Sequence, residues 1–147
     1  MCSILFSSRE IKELDFVNER IQKRGPDYTG VYKHKNYSFV HNLLSITGEF
    51  TKQPFQQNDV VCMFNGQIYN YTEFGDYESD GECLIPLYEK YGNEFVKKLD
   101  GEFVILLVDF KNDTLLISTD IFSTKPLYMA ADDTDDFAFS SYASPLQ

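Results

Sequence analysis

Short apolar runs separated by polar turns dominate this 147-residue chain, and they predict many strands and few helices. Ser3-Ile4-Leu5-Phe6-Ser7 predicts a first, buried strand. Ser8 then offers an N-cap, and Ile11, Leu14, Phe16, Val17 and Ile21 recur at the spacing of a helix lying on a sheet. Arg24-Gly25-Pro26-Asp27 ends that helix with turn chemistry. Residues 30–40 predict a hairpin with 33–36 as its polar tip. Residues 43–46 form another short apolar run, and residues 48–58, polar and holding Pro54, predict a loop. Residues 59–64 and 67–70 predict two strands divided by a tight turn at Asn65-Gly66. Residues 82–90 and 93–99 carry helical patterns, with Gly92 between them. Residues 103–110 are almost continuously apolar, as in a strand buried on both faces. Lys111-Asn112-Asp113 turns it into a further strand over 114–119. Two last strands, 126–130 and 137–141, flank an acidic turn at 132–136 that reads as a solvated tip. The order of elements predicts an α+β fold of mostly antiparallel sheet, in two layers with helices covering them.

Composition narrows the class. The chain is 43% apolar and 16% aromatic, enough for one domain over 1–147 with a buried core. Its net charge of -10 argues against nucleic acid and membrane partners, both of which need a basic footprint. Three scattered cysteines, Cys2, Cys62 and Cys83, make no disulfide framework and suit a reducing, cytoplasmic setting. Cys62 and Cys83 sit in apolar surroundings and read as core residues. His34 and His41 stand without clustered acids, so neither a metal nor another cofactor is expected. No stretch reaches transmembrane length, and the apolar start lacks the basic residues of a secretory signal.

The candidate chemistry begins at Cys2. Removal of Met1 makes it the N-terminus, so one residue carries both a nucleophilic thiol and an amine able to move its proton. Other motifs follow in order: Arg24-Gly25-Pro26-Asp27, Leu44-Ser45-Ile46 after His41, Gln53-Pro54-Phe55, and Phe64-Asn65-Gly66-Gln67-Ile68-Tyr69-Asn70. Ser79-Asp80-Gly81-Glu82, Leu99-Asp100-Gly101 and Lys125-Pro126-Leu127-Tyr128 complete the series. With Met1-Cys2-Ser3-Ile4 these stretches resemble the glutaminase domain of class II glutamine amidotransferases, of the asparagine synthetase type. That resemblance implies an N-terminal nucleophile hydrolase fold, an αββα sandwich. It implies that Cys2 attacks the side-chain amide of glutamine, passes through a thioester and releases ammonia. It assigns the oxyanion to the Asn65 side chain and the Gly66 backbone N–H, and the substrate ammonium to Asp80. It also sets Leu43, Ile46 and Gln67 around the substrate. Arg24 and Asp27 read as structure around the nucleophile, and Asp80 has a second reading as an N-cap.

The departures from the pattern leave alternatives open. Where the family has an arginine that forks onto the glutamine carboxylate, this chain has Leu43, which offers a carboxylate nothing. A charged hydrogen bond of that kind is worth roughly 1.5–3 kcal/mol. The family glutamate after Asn-Gly is Gln67 here. Thr119-Asp120 and Ser123 also depart, and read as structural. One reading is therefore a glutaminase, or an amidohydrolase acting on a changed substrate. The other is a catalytically impaired or regulatory binding module of the same fold. No Gly-rich nucleotide loop is present, which leaves three alternatives: a free-standing amidohydrolase, a domain that delivers ammonia to a synthetase in trans, or an excised domain.

Overall fold

The computed structural model describes residues 1–46 and 48–147. In chain order its strands are β1 (Ser3–Ser7), β2 (Tyr28–His34), β3 (Tyr37–Leu43), β4 (Phe55–Gln57), β5 (Val60–Ile68), β6 (Gly101–Asp109), β7 (Thr114–Thr119), β8 (Tyr128–Ala131) and β9 (Phe137–Ser140). Two α-helices, α1 (Leu14–Asn18) and α2 (Leu84–Tyr91), are joined by several 3-10 turns. Contacts divide the chain into two compact units, residues 1–44 with 126–147, and residues 45–125. Each holds one antiparallel sheet, so the fold is α+β, as the patterning predicts.

The first unit carries the order β2-β3-β1-β9-β8. β1 is central and every residue of it is buried, which is why its sequence lacks polar alternation. It pairs with β3 so that Ser3 stands opposite Asn42 and Ser7 opposite Ser38. The predicted hairpin is present as β2 and β3, and Lys35 takes a positive φ of 53° in its turn. The turn at Arg24-Gly25-Pro26-Asp27 lies against the end of β3. A Cβ on Gly25 would meet the Asn42 carbonyl oxygen at 2.1 Å, so only glycine fits there.

The long helix expected from Ile11 to Ile21 is reduced to α1 and a 3-10 turn at Gln22–Arg24. Ile11, Leu14 and Val17 still pack with Leu5, Ile21 and Val40, so the spacing reported burial faithfully without continuous helical bonding. Phe16 breaks that pattern. It is 57% exposed, and its ring lies 5.0 Å from the Arg20 guanidinium carbon.

The second unit carries β4-β5-β6-β7. β5 and β6 pair over nine residues, from Val60 opposite Asp109 to Ile68 opposite Gly101. The tight turn expected at Asn65-Gly66 is absent, because β5 runs straight through both residues. Gly66 permits this with φ of +151°, and a Cβ there would lie 2.0 Å from the Glu102 carbonyl oxygen. The loop expected over 48–58 contains the short edge strand β4. Cys62, Phe64, Ile105 and Leu107 form the core of this unit with Leu84, Leu87 and Phe95 from the helical segment. Each large apolar side chain buried in this way contributes about 1.5–3 kcal/mol. Burial pushes the Cys62 and Cys83 thiols up, Cys83 to about 12, which keeps both protonated. Gly92, with φ of 58°, ends α2 and lets the chain turn into the 3-10 segment Gly92–Lys98. No helix among the described residues is long and apolar enough to cross a membrane.

Candidate functional site

Cys2 precedes β1 and is half-buried. The β1–β3 register brings it beside the end of β3, where the Leu44 N–H points at its Sγ over 3.4 Å. The same sulfur lies 3.7 Å from the Leu44 carbonyl oxygen. A thiol held by one backbone donor and one backbone acceptor is fixed in direction.

Arg24 donates to the Met1 sulfur at 3.1 Å and stacks on Tyr142 at 5.2 Å. The turn that holds Arg24 is tied to β3 by the Asp27 N–H, which donates to the Leu43 carbonyl at 3.0 Å. Leu43 itself is buried at 7% exposure and pairs with Tyr28 of β2. The first unit therefore gathers Cys2, Leu43 and Arg24 at one end of its sheet.

The second unit gathers Asn65, Gly66, Gln67 and Asp80. Asn65 is 1% exposed, and its Nδ2 has no hydrogen-bond partner among the described residues. A buried donor left unsatisfied costs about 1–3 kcal/mol, so its persistence requires an explanation. Asn65 and Gln67 share one face of β5 by strand alternation, with the half-buried Gly66 between them.

Two side chains clamp this end of β5. The Gln53 Oε1 accepts the Phe64 N–H at 2.8 Å, and an Asp80 carboxylate oxygen accepts the Ile68 N–H at 2.8 Å. Burial pushes the Asp80 carboxyl above the usual carboxylate range, against the pull of the Ile68 and Gly81 N–H groups. Asp80 is not the N-cap. That position is Ser79, whose N–H donates to the Glu82 carboxylate at 3.2 Å. The Asp80 side chain is therefore buried, free of the capping task and bonded to the Ile68 N–H.

Ile46 is 67% exposed and lies outside every strand. Asp120 is structural, accepting the Phe103, Phe122 and Thr124 N–H groups. The Gln53 clamp was not assigned from sequence. Its signal is the Gln53-Pro54-Phe55 stretch itself, one of the motifs of the series. Among the described residues, no group of three or more His, Cys, Asp or Glu is placed to hold a metal ion.

The first unit holds a thiol beside the N-terminus, and the second holds a buried amide nitrogen, next to a glycine, with no partner among the described residues. The family profile described as "Glutamine amidotransferase domain" matches residues 1–147. The chain belongs to this family. The N-terminal nucleophile hydrolase assignment fits that membership. This glutamine amidotransferase domain is 38% identical over 125 residues to asparagine synthetase B (glutamine-hydrolyzing) of Escherichia coli K12, covering 77% of this chain and 23% of that protein. It is 33% identical over 124 residues to an asparagine synthetase (glutamine-hydrolyzing) of Zea mays, covering 77% of this chain and 21% of that protein. A probable asparagine synthetase of Dictyostelium discoideum is 29% identical, over 96% of this chain and 29% of that protein. The domain thus spans about a fifth to three tenths of the length of these relatives.

Proposed function

We propose that residues 1–147 act as one glutaminase domain that hydrolyses the side-chain amide of glutamine through a Cys2 thioester. In this reading the Cys2 thiolate attacks the amide carbon. The carbonyl oxygen becomes an oxyanion and takes hydrogen bonds from Asn65 Nδ2 and the Gly66 N–H. Collapse of the tetrahedral intermediate breaks the C–N bond. The Cys2 amine, free once Met1 is removed, hands a proton to the departing ammonia. Water then attacks the thioester, releasing glutamate and restoring the thiol. Asp80 holds the substrate ammonium, with Gln67 beside it, and Leu43 and Ile46 supply apolar surface.

The observation that carries this reading is the buried Nδ2 of Asn65, a donor with no hydrogen-bond partner among the described residues. An oxyanion hole is built from preorganised donors aimed at where charge develops, and a buried donor without a partner suits that task. The relatives named as glutamine-hydrolyzing asparagine synthetases support ammonia as the product, and a synthetase as its acceptor. Delivery to such a partner in trans, in the cytoplasm, completes the proposal. The test uses Met1-processed protein with glutamine and follows glutamate and ammonia. An unchanged rate in Cys2→Ala would overturn the proposed mechanism.

Leu43 favours a second reading. It is buried, and an aliphatic side chain at that place gives an α-carboxylate no donor. In this reading the chain is a binding module, or it acts on an amide lacking a free carboxylate. Activity on glutamine that appears only in the Leu43→Arg, Gln67→Glu double variant supports it. Full activity in the unaltered protein rejects it.

A further inference from the structure

We propose that Asn42 is a positioning residue for the Cys2 thiol, acting through a closed amide network on the opposite face of the first strand. The inference rests on the reading of Cys2 as nucleophile. Asn42 is fully buried at 0% exposure. Its Nδ2 donates to Ser3 Oγ at 3.0 Å and to Asn18 Oδ1 at 2.8 Å. Its Oδ1 accepts from Thr29 Oγ1 at 2.7 Å and from Asn18 Nδ2 at 3.2 Å. A primary amide has two donors and two acceptor sites, and all four are occupied here. Ser3 Oγ in turn donates to the Ile21 carbonyl at 3.0 Å. One side chain therefore pins β1, β2, β3 and α1 to each other.

The network sits one residue from Cys2 along β1 and two from Leu44 along β3. Ser3 adjoins Cys2, and its partner Asn42 is two residues before Leu44, whose N–H points at the Cys2 sulfur. Strand alternation sends the Ser3 and Asn42 side chains to one face and the residues beside them to the other. The network can therefore fix the thiol's backbone without occupying the space around the thiol. Apolar packing would bury the same volume without fixing direction. Four directional bonds fix translation and rotation together. The Leu44 N–H contact is 3.4 Å long, so a small displacement of β1 against β3 removes it. Every member of the network is neutral, so it orients the nucleophile without adding charge beside it.

The experiment compares Met1-processed wild type with Asn42→Leu, Asn18→Ala and Val40→Ala. Val40 is buried on β3 on the same face as Asn42, so Val40→Ala controls for packing loss alone. Iodoacetamide alkylation of Cys2 is followed across pH by peptide mass spectrometry, alongside kcat, KM and Tm. Asn42→Leu is expected to move the alkylation midpoint up by about one pH unit, the size of an ordinary environmental shift. It is expected to lower kcat about 10-fold or more, with KM within about 3-fold. Asn18→Ala, which leaves the Asn42–Ser3 bond, shifts the midpoint in the same direction by less, and decides the matter if Asn42→Leu does not fold. Val40→Ala lowers Tm and leaves the midpoint in place. An unmoved midpoint in the asparagine variants, or an equal shift in Val40→Ala, overturns the proposal. Failure of the glutaminase reading is seen separately, as absent hydrolysis in wild type, and the alkylation midpoint still decides the role of Asn42.

Discussion

Replacing Asn65 with leucine separates activity from stability in opposite directions. Leucine has the same branched outline as asparagine and fills the same space on β5. The amide it removes is 1% exposed, and its Nδ2 is bonded to nothing among the described residues. An unsatisfied buried donor costs about 1–3 kcal/mol, so its removal relieves that penalty. Asn65→Leu is therefore expected to unfold at equal or higher urea concentration, with a gain of up to about 1–3 kcal/mol. The same change takes away one of the two proposed oxyanion donors. Loss of one such donor lowers kcat about 10²–10³-fold, or about 2.7–4 kcal/mol of transition-state stabilisation. The substrate amide in its ground state makes little demand on that donor, so KM changes little. The assay pairs urea unfolding followed by tyrosine fluorescence with glutamate release at saturating glutamine. A loss of more than about 2 kcal/mol of stability would refute the reasoning, since it would mean the amide is a structural bond. So would an unchanged kcat.

Other consequences follow from the same site. Asp80→Asn keeps an acceptor for the Ile68 N–H and removes a buried charge whose ionisation burial opposes, so stability at pH 7 should not fall, while KM for glutamine rises about 10–100-fold through loss of a charged hydrogen bond. Isothermal titration of glutamine into a Cys2→Ala background reads the same loss as affinity. Gly66→Ala forces a Cβ to within 2.0 Å of a backbone oxygen, and should cost at least about 2–3 kcal/mol in urea unfolding. Asp109 and Asp120 both sit below the usual carboxylate value of 3.8. Burial opposes their ionisation, but hydrogen bonds from Asn112 and Tyr88 to Asp109, and from Thr124 and the Phe103 N–H to Asp120, outweigh it. Their folded values lie under the unfolded one, so their stabilisation is full above pH 3.8 and is lost as pH falls through the folded values. Unfolding free energy should hold between pH 7 and about 5 and drop below about 4, and Asp120→Asn should flatten that drop.

Much of this architecture was legible because burial writes itself into residue type. The continuous apolar stretch of β6 meant a strand buried on both faces, and residues Phe103 to Asp109 are all buried. Cys62 and Cys83 were expected in the core and are fully buried there. The misreadings have local causes. Asn65-Gly66 has the chemistry of a tight turn, but the β6 backbone crowds Gly66, and glycine serves there as the residue without a Cβ. Residues 8–13 carry helical spacing, yet Arg9 and Glu10 pair with Asp132 and Lys33 across the unit. The apolar residues pack all the same, without a complete helix. Phe55–Gln57 joins β5 as an edge strand although Pro54 marks a loop, because an edge needs only one bonded side. The site was readable as residue types along the chain. Its supports were less so, because Gln53 on Phe64 and Asn42 on Ser3 are contacts over 11 and 39 residues of sequence. Such pairings depend on register, which no single stretch of sequence encodes.

The central claim is that Cys2 forms a covalent bond to the substrate acyl group. The most direct measurement is peptide mass spectrometry of Met1-processed protein quenched in acid during turnover of glutamine. A glutamyl thioester on the Cys2 peptide, absent when Met1 is retained, is the predicted result. Hydrolysis of glutamine with no acyl group on Cys2 at any quench time, at an undiminished rate in Cys2→Ala, would contradict it.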